Sequence, residues 1–130
     1  MNIVIDTSAL IAVIADEPER PKLIEVTIGA DLIAPQSVHW EIGNAFSAMF
    51  KRQRISLQQA EQALEIYHKI PITWVQTDLN QALNIAASCR IYAYDAYLIV
   101  CAMNYKSPLL TLDKLLIETA QEIGIKLIEV

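Results

Sequence analysis

Four acidic residues of this chain stand beside sequence that belongs in a core: Asp6, Glu41, Asp95 and Asp113. Asp6 closes the apolar run Asn2-Ile3-Val4-Ile5, and Asp113 closes Leu109-Leu110-Thr111-Leu112. Asp95 opens an almost wholly apolar stretch, and Glu41 lies between Trp40 and Ile42. A carboxylate is rarely fully buried unless it is paired or coordinates a metal. If the four share one cleft at about 5 Å spacings, each pair repels by about 3 kcal/mol at an effective dielectric near 20. Such a cleft needs either protonation or a divalent cation. An all-oxygen donor set suits Mg²⁺ or Mn²⁺, and these ions support phosphodiester chemistry without a side-chain nucleophile.

Taken singly, each acid has a plainer reading. Asp6 before Thr7-Ser8 and Asp113 before Lys114-Leu115 read equally well as helix caps, as does Asp95, although Ala93 and Tyr94 before it do not look like a loop. Glu41 lies one turn from Val38 and Ala45 and borders an apolar face, or else occupies a solvated helix position. Ser8 and Thr111, each two residues from an acid, are candidates to orient a carboxylate or to serve as turn and cap residues. Asn44, one turn from Glu41, is a candidate for the same cleft or an ordinary surface amide.

The elements that must carry these residues follow from hydrophobic patterning. Strands are expected at residues 2–6, 31–34, 72–75, 109–112 and 126–130. Helices are expected from Asp6 or Thr7 to about Ala15, from Pro18 and Pro21 to about Ile28, and after Pro35 with Val38, Ile42, Ala45, Phe46 and Met49 on one face. Further helices run after Ser56, after Asp78 to about Cys89, over 94–105, and from about Lys114 to Glu122, ending near Gly124. Alternating strands and helices predict an α/β fold, a three-layer α/β/α arrangement with a central parallel sheet of about five short strands. Ligands of such sheets bind outside the carboxyl ends of the strands, where Asp6 and Asp113 fall.

The 130 residues fit one domain, 1–130. The 54% apolar content is high for a soluble domain and points to a tight core plus a surface covered by a partner or a second copy. The apolar runs fall well short of the roughly 20 residues of a membrane span, and Asp6 interrupts the first run before a leader could form, so a cytoplasmic location is expected. Cys89 and Cys101, outside any C-x-x-C pair, are expected to be buried free thiols; His39 and His68 do not supply zinc spacing. With only three glycines, a phosphate-binding Gly-rich loop is excluded. The net charge of −5 opposes nucleic-acid binding, but bound cations would offset the clustered acids. Lys51, Arg52 and Arg54 form one short basic patch, either a substrate guide or a solvated helix end. Trp40 and Trp74 are assigned to core or interface.

Four segments, in order, resemble the motifs of PIN domains (named after the PilT N-terminus): Val4-Ile5-Asp6-Thr7-Ser8-Ala9-Leu10, Trp40-Glu41-Ile42-Gly43-Asn44-Ala45, Tyr94-Asp95-Ala96-Tyr97-Leu98 and Leu110-Thr111-Leu112-Asp113-Lys114. The compact chain is most similar to the VapC type of toxin ribonuclease. The resemblance implies a Mg²⁺- or Mn²⁺-dependent endoribonuclease acting on RNA, with Asp6, Glu41, Asp95 and Asp113 in the metal-binding role. It also implies a cognate antitoxin protein that blocks the cleft, and a homodimer. In one departure, Lys114, Leu115, Leu116 and Ile117 follow Asp113 where some relatives carry a further acid, and Glu118 comes late. One tightly held ion, with another recruited by substrate, is therefore expected.

Two other classes compete. A phosphatase or phosphotransferase would use Asp6 as nucleophile, but Ser8 stands where its second acid belongs. A catalytically silent protein- or RNA-binding module would exploit the apolar surface, but gives no reason for four mutually repelling carboxylates.

Overall fold

The computed structural model describes residues 1–130. The first strand, β1 (Asn2–Ile5), is Asn-Ile-Val-Ile, with its last three residues buried. β-branched residues buried on both faces belong in a parallel sheet covered above and below. The sheet adds β2 (Asp31–Pro35), β3 (Ile72–Val75) and β4 (Leu109–Leu110). All pairings are parallel, in the order β3-β2-β1-β4.

Seven helices connect and cover the sheet: α1 (Thr7–Ile14), α2 (Arg20–Thr27), α3 (Ser37–Lys51), α4 (Leu57–Tyr67), α5 (Leu79–Cys89), α6 (Ala93–Asn104) and α7 (Lys114–Glu122). α3 buries Val38, Ile42 and Phe46, a four-residue repeat that keeps one face on the core. α6 is buried along most of its length, at Ala96 and from Leu98 to Ala102. Ser56 and Gln59 close a capping box at the start of α4. α7 ends in a Schellman turn, with Gly124 at φ 81°; the Ile125 N–H reaches the Ala120 carbonyl at 2.8 Å and the Gly124 N–H reaches that of Gln121 at 3.3 Å.

The three-layer α/β/α reading holds, with four strands rather than five. Lys126–Val130 forms only a single parallel bridge, Leu127 to Leu109. Strand β4 explains this. The expected strand 109–112 stops at Leu110, after which Thr111 turns its hydroxyl to Asp6 and to the Asp113 amide, so only a two-residue strand lies beside the last segment. Pro35 precedes α3 as expected and also ends β2, one residue past the expected strand end. Cys101 is buried as expected, but Cys89, the last residue of α5, is only half-buried. Trp40 is not a core residue, being 73% exposed, whereas half-buried Trp74 packs edge-on against His39 at 5.5 Å.

The strand order creates one switch point. From β1 the chain steps outward to β2 and β3, then returns to the other side of β1 for β4. Connections diverge at the carboxyl ends of β1 and β4 and leave a crevice there.

Candidate metal centre

Asp6 follows β1 directly and caps α1, its Oδ1 accepting from the Ala9 N–H at 3.0 Å. The side chain is 4% exposed. The Ser8 hydroxyl lies 2.7 and 2.9 Å from the two oxygens, and the buried Thr111 hydroxyl donates to Oδ2. Ser8 Oγ accepts from the Leu112 N–H at 2.9 Å, and Thr111 Oγ1 from the Asp113 N–H at 3.0 Å. These bonds tie the end of β1 to the segment after β4, so Ser8 and Thr111 do orient the carboxylate. Three hydrogens, from Ser8, Thr111 and Ala9, face about four acceptor positions on a carboxylate. Asp6 is thus held rigidly with about one lone pair left over.

Asp113 caps α7, accepting from the Leu115 and Leu116 amides at 2.9 and 3.1 Å, and remains exposed. Its cap role and its place at the crevice coexist, because one oxygen, Oδ1, makes both bonds. Asp95 sits in the first turn of α6, where Tyr92 is the cap residue, so the capping reading of Asp95 does not hold. Only Tyr105–Pro108 separate the end of α6 from β4, which sets the first turn of α6 over the carboxyl ends of the strands. Glu41 lies in the second turn of α3, the helix that begins where β2 ends. It is half-buried, and its Oε1 is buried with no hydrogen-bond partner.

Electrostatics connects the four. Burial, then the charges of Asp6 and Asp95, pushes Glu41 up to about 7. Burial raises Asp6 above the ordinary carboxylate range, opposed by the bonds from Thr111, Ala9 and Ser8 and assisted by the charge of Asp113. Burial, and then Asp113, raises Asp95. The couplings close a ring: Asp6 to Asp113, Asp113 to Asp95, Asp95 to Glu41, Glu41 to Asp6. The four side chains are spread apart: no three His, Cys, Asp or Glu side chains lie close enough together to hold one ion as they stand. The donor set nevertheless fits a hard cation. It is all carboxylate, it carries unrelieved repulsion, and it includes a buried oxygen without a partner.

Other sequence candidates lie outside the ring. Asn44 is exposed one turn past Glu41, with no hydrogen bond from its side chain to the acids. Lys51 ends α3, with Arg52 as its C-cap and Arg54 in the loop beyond. Lys51 is ten residues past Glu41, about 15 Å along the axis at 1.5 Å per residue, so the basic patch is not brought to the acids within one chain. Two groups carried no expectation from the sequence. The Ala9 amide has no side-chain signature. Ser37, one turn before Glu41 on the same face, has a buried hydroxyl without a partner; its i, i+4 spacing from Glu41 was the available signal.

A family model described as PIN domain matches residues 3–122. No curated protein is significantly similar in sequence to this chain. Among solved structures, PAE2754 from Pyrobaculum aerophilum is similar with a TM-score of 0.71 at 20% identity, over 92% of this chain and 79% of that one. VapBC2 from Rickettsia felis, solved bound to a DNA fragment from its promoter, is similar with a TM-score of 0.68 at 14% identity, over 98% of both chains. A domain of a functionally unknown protein from Methanocaldococcus jannaschii gives 0.54 at 22% identity, over 99% of this chain and 91% of that one.

Proposed function

The chain belongs to the PIN-domain family, and from that premise we propose that it is a divalent-metal-dependent endoribonuclease that hydrolyses RNA phosphodiester bonds, acting as the toxin of a VapBC-type toxin–antitoxin pair. The observation that carries the reading is Asp6 and Asp113 tied together through Thr111 at the carboxyl ends of β1 and β4, with Glu41 Oε1 buried and unpaired. Asp6, Glu41, Asp95 and Asp113 would hold Mg²⁺ or Mn²⁺. Such an ion, when bound, supplies Lewis acidity toward a phosphoryl oxygen and a water of lowered pKa.

The chain's own residues do the rest. Ser8, Thr111 and the Ala9 amide fix Asp6 in one orientation, so its remaining lone pair points in a set direction. Burial of Asp6 and Glu41 keeps bulk water from screening their charge. The Ser8 hydroxyl beside Asp6 is engaged by the carboxylate and by the Leu112 amide, which leaves water as the attacking group. The likeness to the VapBC2 structure supports a protein antitoxin as the partner, covering the cleft, and the 54% apolar composition supports a homodimer.

The phosphotransferase alternative loses ground on geometry. Ser8, whose hydroxyl bonds both Asp6 oxygens, stands where its second acid belongs. The silent-module alternative draws on the open spacing of the acids. Purified, antitoxin-free protein incubated with a mixed RNA pool separates the readings. Cleavage that requires Mg²⁺ or Mn²⁺, stops with EDTA and is lost in Asp6→Asn supports the nuclease. Metal-independent cleavage, or cleavage retained in Asp6→Asn, would defeat the assignment.

A further inference from the structure

A cavity of about 250 Å³ lies between the carboxyl ends of β2 and β3. Its polar lining is Gln36 and Ser37 at the start of α3 and Gln76 and Thr77 after β3; Tyr97 of α6 and Leu79 add apolar wall. Ser37 connects it to the metal centre, since Ser37 and Glu41 share a face of α3 one turn apart, with Cβ atoms about 5–6 Å from each other.

Three observations define what the cavity would accept. Two primary amides and two hydroxyls offer donors and acceptors side by side, and glutamine reads base edges bidentately. The Ser37 hydroxyl is buried without a partner, and a buried polar group left unpaired is costly, so the site is incomplete as it stands. The Tyr97 ring lies edge-on to Tyr94 at 5.9 Å, and an aromatic face is what an unstacked base packs on. No Lys or Arg lines the cavity to hold an anion. The adjoining N-terminus of α5 is already filled by the Asp78 carboxylate, bonded to the Asn80 and Gln81 amides.

We propose that this cavity receives the base of an unpaired nucleotide next to the scissile phosphate, making Gln36, Ser37, Gln76 and Thr77 the residues that set base preference. The proposal rests on the nuclease reading above, but the base-binding half can be tested without cleavage. Adenosine, cytidine, guanosine and uridine carry no phosphate and are not repelled by the carboxylates. Titrated singly into ¹⁵N-labelled protein, one or two of them are expected to shift the side-chain amides of Gln36 and Gln76 saturably, and the others, ribose and inorganic phosphate are not. Gln36→Ala and Gln76→Ala change exposed side chains and are expected to keep the wild-type melting temperature. Each should reduce the ratio of cleavage at preferred over other bases by about 5- to 150-fold, the discrimination one bidentate pair supplies.

Equal shifts from all four nucleosides, no shift from any, or the same shifts from inorganic phosphate would overturn the proposal. So would an unchanged base preference in both variants, and in that case the nuclease assignment stands. Selective nucleoside binding without any RNA cleavage would support the base pocket and count against the nuclease.

Discussion

At the scale of single residues, Asp6 is the most constrained acid and Glu41 the least satisfied. Thr111 is the hinge of the Asp6 network, because its one hydroxyl donates to Asp6 and accepts from Asp113. Thr111→Val keeps the volume and removes both bonds. It is expected to cost about 1–3 kcal/mol in urea denaturation and to weaken Mn²⁺ binding about 10- to 100-fold. Glu41 makes a pH prediction whose sign follows from its folded-state value of about 7, above the value near 4.3 of an unfolded glutamate. Ionisation therefore favours the unfolded chain. In metal-free protein the penalty is absent below about pH 4.3, grows between there and pH 7, and is complete above. Glu41→Gln should raise metal-free stability at pH 8 by about 1–2 kcal/mol after allowance for solvent screening, and change little at pH 4. Chemical denaturation at the two pH values checks it; a variant less stable than wild type at pH 8 would contradict it. The four acids were legible in the sequence because a carboxylate abutting Ile-Val-Ile or Leu-Leu runs is out of place. The Ala9 amide was not, since every residue carries one, and neither was the orphaned Ser37 hydroxyl, since serine at a helix start is common.

At the scale of elements, the site depends on helix starts set over strand ends. α6 presents Asp95 only because its buried stretch, Leu98 to Ala102, locks it against the sheet. Ile99 is 0% exposed, and Ile99→Ala is expected to cost about 2–5 kcal/mol of stability by denaturant titration. Most elements were legible, because buried parallel strands read as short apolar runs and α3 repeats its apolar residues every three to four positions. The last strand was not. Lys126–Val130 has strand composition, yet pairing needs a neighbour, and Thr111 is engaged by Asp6 where β4 would have continued. Side-chain bonds of that kind are long-range and leave no trace in local patterning. The basic patch shows the same limit: Lys51 shares a helix with Glu41, but helix length sets them about 15 Å apart.

At the scale of the whole molecule, a net charge of −5 and a ring of acids are poor partners for RNA unless cations are bound. That tension makes the metal centre the central claim. By mass action, free Mn²⁺ at 100 times its dissociation constant should stabilise the fold by about 2.7 kcal/mol. The most direct test is calorimetric titration of Mn²⁺ into the wild-type protein and into Asp6→Asn, Glu41→Gln, Asp95→Asn and Asp113→Asn. Saturable binding at or below about millimolar Mn²⁺ is expected in the wild type, weakened or lost in each variant while each still folds. No binding by the wild type, or binding that all four variants retain, would contradict it.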